Sequence, residues 1–216
     1  NIITSIEPGV QLFLENELKS IRDIWGSDGA GGVIIDPSTG EIVALAWNPT
    51  FDANSFGESD VSLFGNPIVE GVYEMGSIIK PLTMAAGLDT GTVTADSTYN
   101  DAGFLFLNNK RISNYDNRGR GVVNMQAVLN QSLNTGVAYV AMKMGNQKFA
   151  EYMKNFGIGT ETGIDLPNEG RGLVDNLDSK RDIEIVTASY GQGIAMSPIV
   201  IVRALSALAN HGMLVT

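Results

Sequence analysis

The chain reads as an α+β protein, and three features of its sequence predict that class. Two short apolar runs near the N-terminus flank a turn-forming segment, as in an antiparallel hairpin. The middle of the chain carries apolar residues at helical spacing, and a further helix start stands at Ser197-Pro198. Strands early and helices later give α+β, not the strand–helix alternation of a parallel sheet.

Taken in order, residues near Pro8 to Ile24 form a helix, with Val10, Phe13, Leu14 and Leu18 at helical spacing. Gly26 to Gly32 is a turn. The runs Gly32-Val33-Ile34-Ile35 and Glu41-Ile42-Val43-Ala44-Leu45-Ala46 are strands, and Asp36-Pro37-Ser38-Thr39-Gly40 has the chemistry to turn between them. Trp47 to Met75 is irregular. A helix starts close to Ser77 and runs to about Leu88, because Pro81 is tolerated only in a first turn. Residues 92 to 122 are mostly loop with short extended pieces. Asn124 caps a helix ending near Gln131, and Thr135 to Met144 is a second, presenting Val137, Val140, Ala141 and Met144 on one face. A third covers Gln147 to Phe156, with Phe149, Tyr152, Met153 and Phe156 on one face. Gly157 to Asn176 is a glycine-rich connection, and the last helix runs from Ser197 to about Asn210. The opening Asn1-Ile2-Ile3-Thr4 is read as a trimmed end, so any membrane anchor is expected outside this chain.

Acidic residues outnumber basic ones by 24 to 14, a net charge of −10 that repels phosphate backbones and argues against nucleic-acid binding. The densest basic stretch, Lys110-Arg111 with Arg118 and Arg120, is interrupted by Asp116 and reads as a solvated loop. Cysteine is absent and His211 is the single histidine, which argues against a nitrogen- or sulfur-ligated metal and against thiol chemistry. Asp52-Ala53-Asn54 opens like a calcium loop, but Phe56 and Leu63 stand where oxygen ligands belong. Gly29-Ala30-Gly31-Gly32 precedes a strand and lacks Gly-Lys-Ser/Thr, so it is a turn and no phosphate cradle. No metal and no cofactor is expected.

An acyl-transfer enzyme without histidine needs another base. A lysine serves if burial or nearby positive charge lowers its pKa from about 10.4 towards neutrality. The chain holds one Ser-x-x-Lys, Ser77 and Lys80, and positions i and i+3 of a helix face the same side. At a helix start the serine also meets unpaired backbone N–H groups, which can receive a developing oxyanion. Such a match also arises by chance in a chain of this length; here Gly76 and Pro81 frame it as an exposed helix entry. Ser132-Leu133-Asn134 falls between two helices. There the hydroxyl can relay a proton and the carboxamide can hydrogen-bond a peptide. The same two residues also read as simple helix caps.

These segments, in this order, resemble the penicillin-binding protein transpeptidase family. Gly32 to Ala44 resembles its opening hairpin, and Tyr73-Glu74-Met75-Gly76-Ser77-Ile78-Ile79-Lys80-Pro81 its nucleophile segment. Leu129-Asn130-Gln131-Ser132-Leu133-Asn134-Thr135 resembles its second motif. Phe156 to Gly170 and Tyr190-Gly191-Gln192-Gly193-Ile194 with Ser197-Pro198 resemble later stretches. The likeness runs from about residue 28 to the end and is greatest to the monofunctional class B division or elongation type. It implies a β-lactamase/transpeptidase-like fold: an antiparallel sheet with a helical subdomain that carries the active-site serine. Within one partial domain over 1–216, the sheet hairpin is expected at 28–50, the helical subdomain at about 70–185 and the late helix at 197–210. The Lys-Thr-Gly motif and the C-terminal strands are expected beyond residue 216.

The resemblance implies a D,D-transpeptidase acting on the D-Ala-D-Ala end of peptidoglycan stem peptides outside the cytoplasmic membrane. Ser77 is then the nucleophile, Lys80 its base, Ser132 a proton relay and Asn134 a substrate-binding group. β-Lactam antibiotics are expected to acylate Ser77, and other cell-wall assembly proteins are expected partners. Two alternatives stay open at this stage: a β-lactamase or β-lactam sensor of the same fold, which Asn134 disfavours for the class D type, and a non-catalytic cell-wall scaffold.

Overall fold

The computed structural model describes residues 3–215; Asn1, Ile2 and Thr216 lie outside them, and with them half of the tetrapeptide read as a trimmed end. The chain divides into two compact units. The first comprises Asn1–Tyr73, Glu161–Arg171 and Ser197–Thr216, and the second Glu74–Thr160 and Gly172–Met196. The connection around residues 161–171 therefore belongs with the hairpin and the late helix, and the helical unit is assembled from two stretches of chain.

In the first unit, helix α1 (Pro8–Trp25) begins on a proline and ends where Gly26 turns left-handed at φ 59°. Strands β1 (Ala30–Ile35) and β2 (Ile42–Asn48) pair antiparallel, with an irregularity between Ile34 and Ile35. Asp36 builds their turn, accepting from both the amide and the hydroxyl of Ser38 at 2.8 and 2.6 Å. The outer edge of β2 is not left open. Gln11 on α1 donates to the Leu45 carbonyl and accepts from the Leu45 amide, at 3.0 and 2.9 Å. Satisfying an edge strand in this way removes a template for unwanted strand pairing.

The second unit holds the remaining strands and every remaining α-helix but one. Helix α2 (Lys80–Asp89) is preceded by a 3-10 turn, Gly76–Ile79. A helix beginning at Ser77 is thus corrected to a tighter turn that becomes α-helical only at Lys80. The cause is Pro81, which has no N–H to return to the Ser77 carbonyl four residues back; the Lys80 amide takes that carbonyl instead.

Within residues 92 to 122 the expected short extended pieces are four strands, the last running on to Asn124. They are β3 (Thr98–Asp101), β4 (Phe104–Leu107), β5 (Lys110–Ser113) and β6 (Gly121–Asn124). β4 pairs with β5 and β3 with β6, both antiparallel. Each strand is four residues long, too short for alternation to show in the sequence.

Helix α3 (Met125–Asn130) is capped by the Asn124 side chain, which accepts from the Ala127 amide. Helices α4 (Asn134–Met144) and α5 (Asn146–Asn155) follow. The apolar face expected of α4 is the buried one: Val137, Val140 and Ala141 are fully buried, with Ala138 beside them, while Met142 and Lys143 on the other side are exposed. Gly87 of α2 permits a close approach, since a Cβ there would lie 2.4 Å from Val140. Helix α6 (Asp182–Ala188), only seven residues long, carries no signal strong enough to predict.

The final element, α7 (Pro198–Ala209), returns to the first unit, with proline in its first turn and Ile199, Val200, Ile201 and Ala204 buried. No described helix is long and apolar enough to cross a membrane.

Candidate active site

Ser77 lies exposed in the 3-10 turn that opens α2. With three residues per turn, side chains at i and i+3 eclipse, so Ser77 and Lys80 share one side of the turn. Gly76 makes the entry at φ 59°, where a side chain is strained although the space around it is open.

Lys80 is nearly inaccessible, with 2% of its surface exposed. Its amine donates to the Ser132 carbonyl at 2.6 Å and to Ser132 Oγ at 2.8 Å, across 52 residues of sequence. No carboxylate among the described residues forms an ion pair with it. Burial without a counter-charge disfavours the ammonium form and lowers the pKa from 10.5 to about 8. Roughly a tenth of the molecules would then hold a neutral amine at pH 7.

Ser132 occupies the left-handed region at φ 51°, unusual for a residue with a Cβ. This twist belongs to the turn between α3 and α4, and both the carbonyl and the hydroxyl of the residue meet the lysine. Leu133 is fully buried and pins the turn. Asn134 opens α4, and its Nδ2 donates to the Ser113 carbonyl at the end of β5, 2.9 Å away. That bond leaves its Oδ1 and its second N–H for a ligand.

The four candidates therefore fall in one unit, and the structure brings Lys80 and Ser132 into direct contact. Among the described residues no hydrogen bond joins Ser77 Oγ to Lys80 Nζ. His211, left-handed and exposed, sits in the turn after α7 in the other unit.

One contact escaped the sequence reading. Gly191 abuts the turn that carries Ser77: the Gly76 amide donates to the Gly191 carbonyl at 3.1 Å. A Cβ on Gly191 would lie 2.2 Å from the Gly76 carbonyl oxygen. Two residues on, the Gly193 amide donates to Glu74 at 2.7 Å. Tyr190-Gly191-Gln192-Gly193 was legible as a motif, yet nothing local says what it presses against.

The α+β fold thus places a buried lysine, three residues beyond an exposed serine, against Ser132. The penicillin-binding protein transpeptidase domain family matches residues 30–216. Stage V sporulation protein D of Bacillus subtilis is 33% identical over 215 residues, covering 98% of this chain and 33% of that protein. Peptidoglycan D,D-transpeptidase MrdA of Acinetobacter baumannii is 31% identical over 236 residues, covering 98% of this chain and 34% of that one. The transpeptidase domain of penicillin-binding protein 3 from Burkholderia pseudomallei superposes with a TM-score of 0.86 at 26% identity, over 98% of this chain and 59% of that one. This chain belongs to the penicillin-binding protein transpeptidase family, and its relatives are of the class B type. It spans about a third of the length of the curated relatives it matches.

Proposed function

We propose that the full-length protein is a peptidoglycan D,D-transpeptidase acting outside the cytoplasmic membrane, and that Ser77 is its acylated residue. The observation that carries this reading is the Lys80 amine: buried, without a carboxylate partner, and 2.8 Å from the Ser132 hydroxyl. A lysine in that setting gives up its proton near pH 8, far more readily than a free lysine, and can act as a base where no histidine does.

The neutral amine of Lys80 takes the Ser77 proton as Ser77 Oγ attacks the penultimate D-Ala carbonyl of a stem peptide. The C–O bond forms, the tetrahedral oxyanion collapses, and the C–N bond to the terminal D-Ala breaks. Ser132 passes the proton from Lys80 to the departing amine, while Asn134 orients the peptide through its free carboxamide positions. The amine of a second stem then attacks the ester, restores Ser77 and leaves a cross-link. A β-lactam follows the first half and stalls, because its leaving nitrogen stays tethered. The family name and the relatives named as D,D-transpeptidases support this reading, and so do the shared substrate class and the binding of β-lactams that the family implies.

Mass spectrometry of the full-length protein incubated with penicillin is expected to find one adduct, on the peptide containing Ser77. An adduct on another residue, or none, would overturn the reading; rapid release of the acyl group would make the protein a β-lactamase instead.

The acylation rate should also depend on pH in a defined direction. Below about pH 8 Lys80 is mostly protonated and cannot accept the Ser77 proton. The rate is expected to climb about tenfold per pH unit on the acid side and to level off above pH 8. A flat profile between pH 6 and 9 would exclude a neutral Lys80 as base.

A further inference from the structure

The turn that presents Ser132 to Lys80 rests on a polar cluster that the mechanism above does not use. At its centre is Asp101, the last residue of β3, with 2% of its surface exposed. Asn114 and Thr135 beside it are 1% and 4% exposed. A carboxylate so deeply buried is costly unless its oxygens are satisfied. Four donor groups meet it: the Gly103 amide at 2.9 Å, the Asn114 carboxamide at 3.1 and 3.0 Å, the Arg120 amide at 3.1 Å and the Thr135 hydroxyl at 2.8 Å.

The cluster reaches the candidate site through adjacent residues. Asn114 Oδ1 accepts from the Thr135 amide at 3.3 Å, and the preceding carbonyl, of Ser113, accepts from Asn134 at 2.9 Å. Two consecutive residues at the end of β5 thus grip the first two residues of α4. Two residues before α4 stands Ser132, in a left-handed backbone conformation that disfavours a side-chain-bearing residue. Such a conformation persists only where its surroundings over-determine it.

We propose that Asp101, acting through Asn114 and Thr135, is the positioning residue that holds the Ser132-Leu133-Asn134 turn against Lys80. The buried charge orients the Asn114 carboxamide, Asn114 and Ser113 fix the start of α4, and Ser132 is thereby kept twisted so that its carbonyl and hydroxyl both meet the amine. None of these groups touches the reacting atoms. The inference rests on the transpeptidase reading for its catalytic consequence, although the geometric consequence stands apart from it.

The test exchanges the two groups. Asp101→Asn leaves two carboxamides facing each other, and Asn114→Asp sets two carboxylates side by side. In the double variant the carboxamide and the carboxylate have changed places and can pair again. Each single variant is expected to slow β-lactam acylation of the folded full-length protein by about 10- to 100-fold, the usual effect of misplacing a catalytic group by about an ångström. The double variant should return to within about fivefold of wild type. Thr135→Val, which removes only one hydroxyl and keeps the shape, should slow it in the same direction and covers the case in which a single variant does not fold.

Amide hydrogen exchange over residues 131–135 reads the turn without any reaction, and is expected to be about tenfold faster in Asp101→Asn and Thr135→Val and restored in the double variant. Unchanged exchange in these variants overturns the inference, as does loss of rate that the double variant does not restore. Failure of the wild type to be acylated at all counts against the function proposed above, and the exchange data still decide the role of Asp101.

Discussion

Lys80→Met is expected to slow acylation by a β-lactam by about a thousandfold or more, within the range that a positioned general base supplies. Methionine fills the volume of the lysine stem and carries no amine. Ser77 would then have no neutral nitrogen beside it to receive its proton, and the Ser132 carbonyl and hydroxyl would lose the donor 2.6 and 2.8 Å away. Lys80→Arg should not rescue the rate. A guanidinium holds its proton throughout the accessible pH range, so it keeps the positive charge and cannot act as a base. The comparison separates charge from basicity: electrostatic support alone would leave Lys80→Arg active. Stopped-flow acylation of the full-length protein, with thermal unfolding to establish that each variant is folded, decides the matter. A rate for Lys80→Met within tenfold of wild type would remove Lys80 from the mechanism.

The second large effect is expected at Gly191. Its φ of 79° is strained for any residue with a Cβ, and the added carbon would lie 2.2, 2.6 and 2.7 Å from the carbonyl oxygen, amide nitrogen and carbonyl carbon of Gly76. These are backbone atoms, which cannot swing aside as a side-chain tip can. The turn that carries Ser77 would have to move, and the bond from the Gly76 amide to Gly191 would stretch or break. Gly191→Ala is therefore expected to cost about 3 kcal/mol or more, from left-handed strain and overpacking together. Acylation should fall by about a hundredfold or more in whatever protein remains folded, because the turn that carries the proposed nucleophile Ser77 is displaced. Gly26→Ala is the control. It has a similar left-handed backbone, φ 59° and ψ 35°, but nothing within 4 Å of its Cβ. Its cost should be confined to the backbone strain of roughly 1–2 kcal/mol. Urea unfolding of both variants measures the difference. Equal costs would show that the close approach of the two backbones is immaterial.

The features that local chemistry controls were legible in the residues themselves. Asp36 to Gly40 specifies a turn through its own side-chain bonds, Asn124 caps α3, Pro198 starts α7, and the apolar spacing of Phe149 and Met153 marks the buried side of α5. Ser77 and Lys80 share one side of their turn for the same reason: three residues apart, their relative placement is almost wholly local. Even here one local rule was read too loosely, since the missing N–H of Pro81 dictates a 3-10 turn before α2.

What the sequence by itself determined was the class of fold and the order of its first hairpin and longer helices. What only the tertiary structure decided was which distant residues meet. Lys80 finds Ser132 across 52 residues, Asp101 finds Thr135 across 34, and Gly191 lies against Gly76. Pairings of that kind carry no periodicity and no fixed spacing. They arise because the packed helices and short hairpins leave one arrangement in which a buried amine and a buried carboxylate each have their hydrogen bonds satisfied, and that requirement is written in no single stretch of chain.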